Sequence, residues 1–262
     1  MKPLSRTILV AIPVWNEERH IDRVLSEVRR YAADVLVVDD GSTDATPALL
    51  ARHPVEVLRH AENMGYGRSM RDIIHWAHLQ DYEWVVTMDC DEQHEPSFLP
   101  TFFAAARQDR LDVVSGSRYL SAQLRGDDAP ADRRAINRTI TEEVNAALGL
   151  ALTDAFCGFK AYRTHACVKL ALSVDGYDFP LQFWVQAAAH RLRIGEIAVP
   201  RIYHDANRSF GGELDDPSVR LAAYRDTFRR ELKRCRSRLR AAGDAGHALF
   251  DEGGAESATG AA

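Results

Sequence analysis

The chain has no run of about 18 apolar residues, the length a helix needs to cross a bilayer. Its early apolar stretch, Ile8 to Val14, contains Pro13 and stops at Asn16-Glu17-Glu18, too short and too early for an export signal. Cysteine is scarce as well. The four present, Cys90, Cys157, Cys167 and Cys235, are widely spaced and form no Cys-x-x-Cys pair. That pattern indicates neither a disulfide framework nor a zinc site, and a reducing cytoplasm fits it best. Positive charge is not in excess: the formal net charge of −5 argues against indiscriminate nucleic-acid binding. The expected protein is soluble and cytoplasmic, or at most attached to a membrane surface.

What is present is an ordinary globular composition, 262 residues of which 46% are hydrophobic, enough for one large α/β domain or two small ones. Thr7 to Pro13 reads as a buried strand. Ile21, Val24, Leu25 and Val28 then recur at helical spacing, the stripe of a helix laid on a sheet. Asp34 to Asp40 reads as a second strand, Val55 to Arg59 as a third, Tyr66 to Leu79 as a helix, Trp84 to Met88 as a fourth strand and Pro96 to Arg107 as another helix. Strands alternating with helices at this spacing mean βαβ units and a mostly parallel sheet. Right-handed crossovers place the loops after Pro13, Val38, Arg59 and Met88 on one edge.

Further on, Asp112 to Tyr119 is a fifth strand and its exit, and Ser121 to Pro130 a polar loop suited to a substrate lid. A helix begins near Ala131, residues 153–163 are irregular, a helix spans Phe179 to Arg191, and Ile194 to Ile202 is a strand interrupted by Pro200. Residues 1–216 are expected to form the globular domain, 217–241 a basic helix and 242–262 a flexible tail. On the helix, Phe228, Leu232, Cys235 and Leu239 form one stripe among many Arg and Lys. Two readings stand: a solvated basic face over an ordinary packed stripe, or attachment to anionic lipid.

The stretch with the clearest chemistry is Met88-Asp89-Cys90-Asp91-Glu92-Gln93-His94. Two carboxylates two residues apart arrive where a buried strand ends, beside the ligand crevice of an open parallel sheet. Oxygen ligands of that kind suit a divalent cation, although a lone Asp-x-Asp can also be an acidic turn.

Taken together the loops resemble family 2 glycosyltransferases of the GT-A fold, and within them the polyprenyl (dolichol) phosphate sugar transferases. Pro13-Val14-Trp15-Asn16-Glu17 resembles their Pro-x-Tyr-Asn-Glu opening, and Asp39-Asp40-Gly41-Ser42 their Asp-Asp-Gly-Ser loop. Asn63-Met64-Gly65 resembles the Asn-x-Gly stretch, and Asp89-Cys90-Asp91-Glu92-Gln93-His94 the extended Asp-x-Asp-x-Gln-His form. The resemblance implies a GT-A, Rossmann-like α/β fold with a long basic C-terminal helix appended. It also implies a nucleotide-sugar donor such as GDP-mannose or UDP-glucose, held with Mg2+ or Mn2+ on Asp89 and Asp91. Pro13, Trp15, Glu17, Asp39, Asp40, Asn63, Cys90 and Gln93 would line the donor site, with Trp15 standing where Tyr is more frequent.

Gly116-Ser117-Arg118-Tyr119 resembles a phosphate-reading segment, with Arg133 or Arg134 as a partner on an acceptor phosphate. Asp154-Ala155-Phe156-Cys157-Gly158-Phe159 resembles a segment beside the sugar, where Asp154 contacts hydroxyls, orients a neighbour or only caps a turn. Gln182 replaces an acid and can read hydroxyls but cannot act as a base. Arg208 would be a lid cation over the diphosphate. The implied reaction is inverting transfer of mannose or glucose to polyprenyl phosphate, with Asp91, Arg118, Asp154 and Gln182 as catalytic candidates. Alternatives are a soluble or protein hydroxyl acceptor, or a non-catalytic nucleotide-sugar-binding subunit.

Overall fold

A computed structural model describes residues 6–124, 130–202 and 212–251, with side chains to residue 241. Seven strands, β1 (Arg6–Val14), β2 (Val35–Asp39), β3 (Glu56–Arg59), β4 (Tyr82–Thr87), β5 (Val113–Ser117), β6 (Lys160–Arg163) and β7 (Ile194–Ala198), form one sheet. Their order is β3-β2-β1-β4-β6-β5-β7. All pairings are parallel except those of β6, which runs antiparallel to both β4 and β5.

Helices cover both faces, as a largely parallel sheet requires. Alternation along β1 sends Leu9 and Ala11 to one face and Val10 and Ile12 to the other. The first face packs on α3 (Tyr66–Leu79), α5 (Ala131–Leu148), α7 (Phe179–Ala189) and α8 (Pro217–Asp251). The second packs on α1 (Ile21–Val28) and α4 (Leu99–Arg107), with a 3-10 turn over Pro96–Phe98 leading into α4. Two short helices, α2 (Thr46–Leu50) and α6 (Thr164–Cys167), complete the set.

Three sequence expectations are corrected. Residues 160–163 form a central strand rather than irregular chain. Its ends are Lys160 and Arg163, so no apolar run announces it; both cations are buried because Lys160 donates to the Cys157 carbonyl and Arg163 pairs with Asp109 and Asp112. The last strand stops at Ala198, since Pro200 has no N–H to continue a ladder. And α8 runs to Asp251, past the boundary expected at 241. Arg208 and the core of the 121–130 loop lie outside the described residues.

Helix α8 is not an appendage. Tyr224, Phe228 and Cys235 are buried in the same core as α5 and α7, with Leu221, Leu232 and Leu239 packed beside them. Glu231 is buried too, accepting from Gln182 Nε2 at 3.0 Å and from Gln186 Nε2. The apolar stripe therefore faces protein, and the boundary expected at 216 separates no independent unit. What α8 turns outward is cationic: Arg229, Arg230, Lys233, Arg236 and Arg240 are exposed. Among the described residues no helix is long and apolar enough to cross a membrane. Phe228→Ala is expected to lower the unfolding free energy by about 3 kcal/mol in urea denaturation, the cost of emptying a core site; a helix lying on lipid by this stripe would give almost no change in solution.

Candidate active site

The carboxyl ends of β1, β2 and β4 share one sheet edge, and their loops are tied together there. Asn16, at φ 56°, accepts from the Thr43 and Asp44 N–H groups on Oδ1 at 2.8 and 3.3 Å. Its own N–H donates to Ser42 Oγ at 2.9 Å, and Glu17 N–H donates to Thr46 Oγ1 at 2.8 Å. Asp40 takes up the third loop: its oxygens accept from the Met64 and Gly65 N–H groups, each at 2.8 Å. Behind it His60 sits between carboxylates, Nδ1 2.6 Å from Asp40 and Nε2 3.0 Å from Asp72. The first three motifs thus bind one another before they bind any ligand.

The fourth loop is pinned by His94. Its Nδ1 accepts from the Asp89 N–H at 3.0 Å, while Nε2 faces Cys157 Sγ at 3.9 Å. Burial, aided by the Arg118 and Lys160 cations and opposed by Asp91, lowers this imidazole to about 4. The neutral ring makes no ion pair with Asp89 Oδ2, although the two lie 3.7 Å apart. Asp91 closes a small turn by accepting from the Gln93 N–H at 3.1 Å, with Glu92 at φ 60° between them. Opposite, Gly158 leaves room for the Asp89 carboxylate, which a Cβ at that position would strike.

These loops and the far wall enclose a cavity of about 560 Å³. Pro13, Trp15, Glu17, Asp40 and Asn63 border it, and Trp15 is 50% exposed rather than a core aromatic. Asp89, Cys90, Asp91 and Gln93 border it as well. Arg118 and Arg133 border it too, whereas Arg134 is exposed and does not. Three expected site residues lie behind the wall. Asp39 is fully buried, accepts from the Ser42 N–H at 2.9 Å and has Arg59 Nε at 3.2 Å. Gln182 holds the 173–174 backbone, accepting at 2.7 and 2.9 Å, and gives its amide to Glu231, so an acid at 182 would confront a second buried acid.

Asp154 is the third. It takes a two-pronged bond from Arg118, Nε at 2.7 Å and Nη2 at 2.9 Å, and another from Asn137 Nδ2 at 2.8 Å. Burial works to raise its pKa, but these partners, Arg118 foremost, hold it at about 2. It positions Arg118 and does not border the cavity. Sequence reasoning gave no role to Tyr66, Lys160 and Tyr177, which lie within the segments that carry the resemblance, and missed Arg220 and Tyr224; all five border the cavity. Lys160 is 3% exposed, with Nζ 5.4 Å from the Trp184 ring centre; burial lowers its pKa. Only its place one residue beyond Gly158-Phe159 could have signalled it.

Comparisons with known proteins identify the family. Residues 9–170 match the model of glycosyl transferase family 2. The chain belongs to that family. An undecaprenyl-phosphate mannosyltransferase of Micrococcus luteus is 30% identical over 229 residues, covering 83% of this chain and 93% of the relative. A polyprenol monophosphomannose synthase of Mycolicibacterium smegmatis is 29% identical, covering 76% and 78%. Among solved structures, glucosyl-3-phosphoglycerate synthase of Mycobacterium tuberculosis, in complex with Mn2+, UDP-glucose and phosphoglyceric acid, superposes with a TM-score of 0.66 at 21% identity, covering 88% and 80%. This family 2 glycosyltransferase thus shares a fold with it.

The pinned imidazole gives a testable pH dependence. Between the ordinary histidine value of 6.5 and about 4 the folded protein binds fewer protons at His94 than the unfolded chain does. Stability therefore falls as pH drops through that window, by on the order of 3 kcal/mol in all. Urea midpoints taken at about pH 7, 5.5 and 4.5 should decline, and His94→Gln should flatten that decline.

Proposed function

We propose that this glycosyltransferase moves a hexose, mannose or glucose, from a nucleotide sugar to polyprenyl phosphate with inversion at the anomeric carbon. The observation that carries the reading is one cavity bordered at once by the Asp89 and Asp91 carboxylates, by the exposed Trp15 ring and by the Arg118 and Arg133 side chains. The M. luteus and M. smegmatis relatives, named for undecaprenyl and polyprenol chemistry, support the acceptor.

Roles follow from placement. Trp15 offers a stacking face for the base, Asp40 and Glu17 accept from base or ribose, and Asn63 lies beside them. Among the described residues no group of three or more His, Cys, Asp or Glu could by itself hold a metal ion. Two carboxylates suit Mg2+ or Mn2+, which keep waters and take substrate phosphate oxygens as further ligands. Asp89 and Asp91 would hold it, and when bound it would offset the charge growing on the diphosphate. Lys160, buried where it borders the cavity, would add a hydrogen-bond donor.

Arg118, locked by Asp154, and Arg133 would orient an acceptor phosphate. An oxygen of that phosphate attacks the anomeric carbon as the bond to the nucleoside diphosphate breaks, its electron pair leaving with the diphosphate. The attacking oxygen is already anionic, so no general base is required; a hydroxyl acceptor would need one. The membrane reading is now electrostatic, since only the cationic face of α8 remains for an anionic surface.

Calorimetry with GDP and UDP, with and without Mn2+, tests the donor half. Nucleotide should bind with metal present, and Asp91→Asn should weaken that binding about 100-fold or more. No binding of either nucleotide with metal would overturn the reading.

A further inference from the structure

Cations reach the cavity from an element that none of the sequence motifs touches. Arg220, in the first turn of α8, and Tyr224, one turn later, both border it, at 2% and 4% exposure. They lie beyond residues 9–170, the segment that matches the family. A buried guanidinium is costly unless its charge is met and its donors are used. Here Asp132 Oδ2 accepts from Nη2 at 2.7 Å and the Leu214 carbonyl from Nη1 at 2.8 Å. These two anchors fix the guanidinium plane where the side chain borders the cavity.

The turn that carries Arg220 is fixed as well. Asp216 Oδ1 accepts from the Ser218 and Val219 N–H groups at 2.7 and 3.1 Å, capping α8. Asp132, the anchoring carboxylate, directly precedes Arg133 at the start of α5. One ion pair between the two helices therefore sets Arg220 next to the turn of α5 that carries Arg133. Tyr224 stacks near Phe156, ring centres 5.0 Å apart. Burial pushes its phenol up to about 12, so the hydroxyl remains a donor at neutral pH.

We propose that Arg220 and Tyr224 complete the acceptor-phosphate subsite with Arg118 and Arg133, making the first turns of α8 part of the substrate-binding machinery. The ligand class is a phosphate ester dianion, held by donors from three directions. This rests on the reading of the acceptor as a phosphate, and it assigns a substrate role to a helix whose sequence shows only a basic stripe. A polyprenyl monophosphate and a soluble phosphate ester share that chemistry, and the two arms of the test separate them.

The test is steady-state transfer at saturating donor to a short-chain polyprenyl phosphate and, separately, to 3-phosphoglycerate. Arg220→Gln should raise the acceptor KM about ten-fold or more, with nucleotide affinity in calorimetry moving less than about two-fold. Arg220→Lys should recover part of the loss, and the acceptor on which the effect appears identifies the source. Arg225→Gln, whose partner Glu143 lies away from the cavity, should leave the acceptor KM unchanged. An unaltered acceptor KM in Arg220→Gln, or an equal rise in Arg225→Gln, overturns the assignment. If Arg220→Gln does not fold, Arg220→Lys and Asp132→Asn carry the test, and an unaltered KM in both overturns it. Wild-type protein that transfers to neither acceptor instead overturns the phosphate reading itself.

Discussion

Side-chain to backbone hydrogen bonds between the loops at the carboxyl edge of the sheet are what the site depends on. Parallel strands deliver loops to a common edge, but strand pairing alone does not fix their conformation. Asn16 clasps the 42–44 turn, Asp40 clasps the 64–65 turn, and His94 clasps the backbone of Asp89. Each clasp uses a polar group that would otherwise face solvent and turns it into a restraint. Cavity-bordering groups such as Trp15 and Asp91 are then held in place by neighbours that need not touch a substrate, the preorganisation that electrostatic catalysis requires.

The same logic governs charge. Three basic side chains that border the cavity each have a partner that fixes their direction: Asp154 for Arg118, the Cys157 carbonyl for Lys160, Asp132 and the Leu214 carbonyl for Arg220. Holding the Asp154 carboxyl at about 2 keeps it ionised, and so keeps Arg118 oriented, throughout the physiological range. The Arg220–Asp132 pair joins α8 to α5, so the charge bordering the cavity and the packing of those two helices are one problem.

Much of this was legible in the sequence. The strand and helix alternation to residue 117, the helix from Tyr66 to Leu79 and the start of α5 at Ala131 follow from apolar periodicity. Periodicity failed at β6, where two cations end a buried strand, because their burial rests on partners distant in sequence. It also could not tell which face of a basic helix is covered: Phe228 and Cys235 look the same whether they meet lipid or α7. Residue type named Asp154 and Gln182 as candidates, whereas three-dimensional placement shows both behind the wall, holding other groups. Arg220 and Tyr224 carry no local signature, since only the fold of α8 onto α5 and α7 brings them to the cavity.

The account turns on direct displacement at the anomeric carbon by an acceptor phosphate oxygen. Its most direct measurement is the anomeric configuration of the product, read by NMR couplings after incubating an α-linked nucleotide sugar, Mn2+ and a short-chain polyprenyl phosphate with the protein. The account predicts a β-linked glycosyl phosphate. An α-linked product would contradict it.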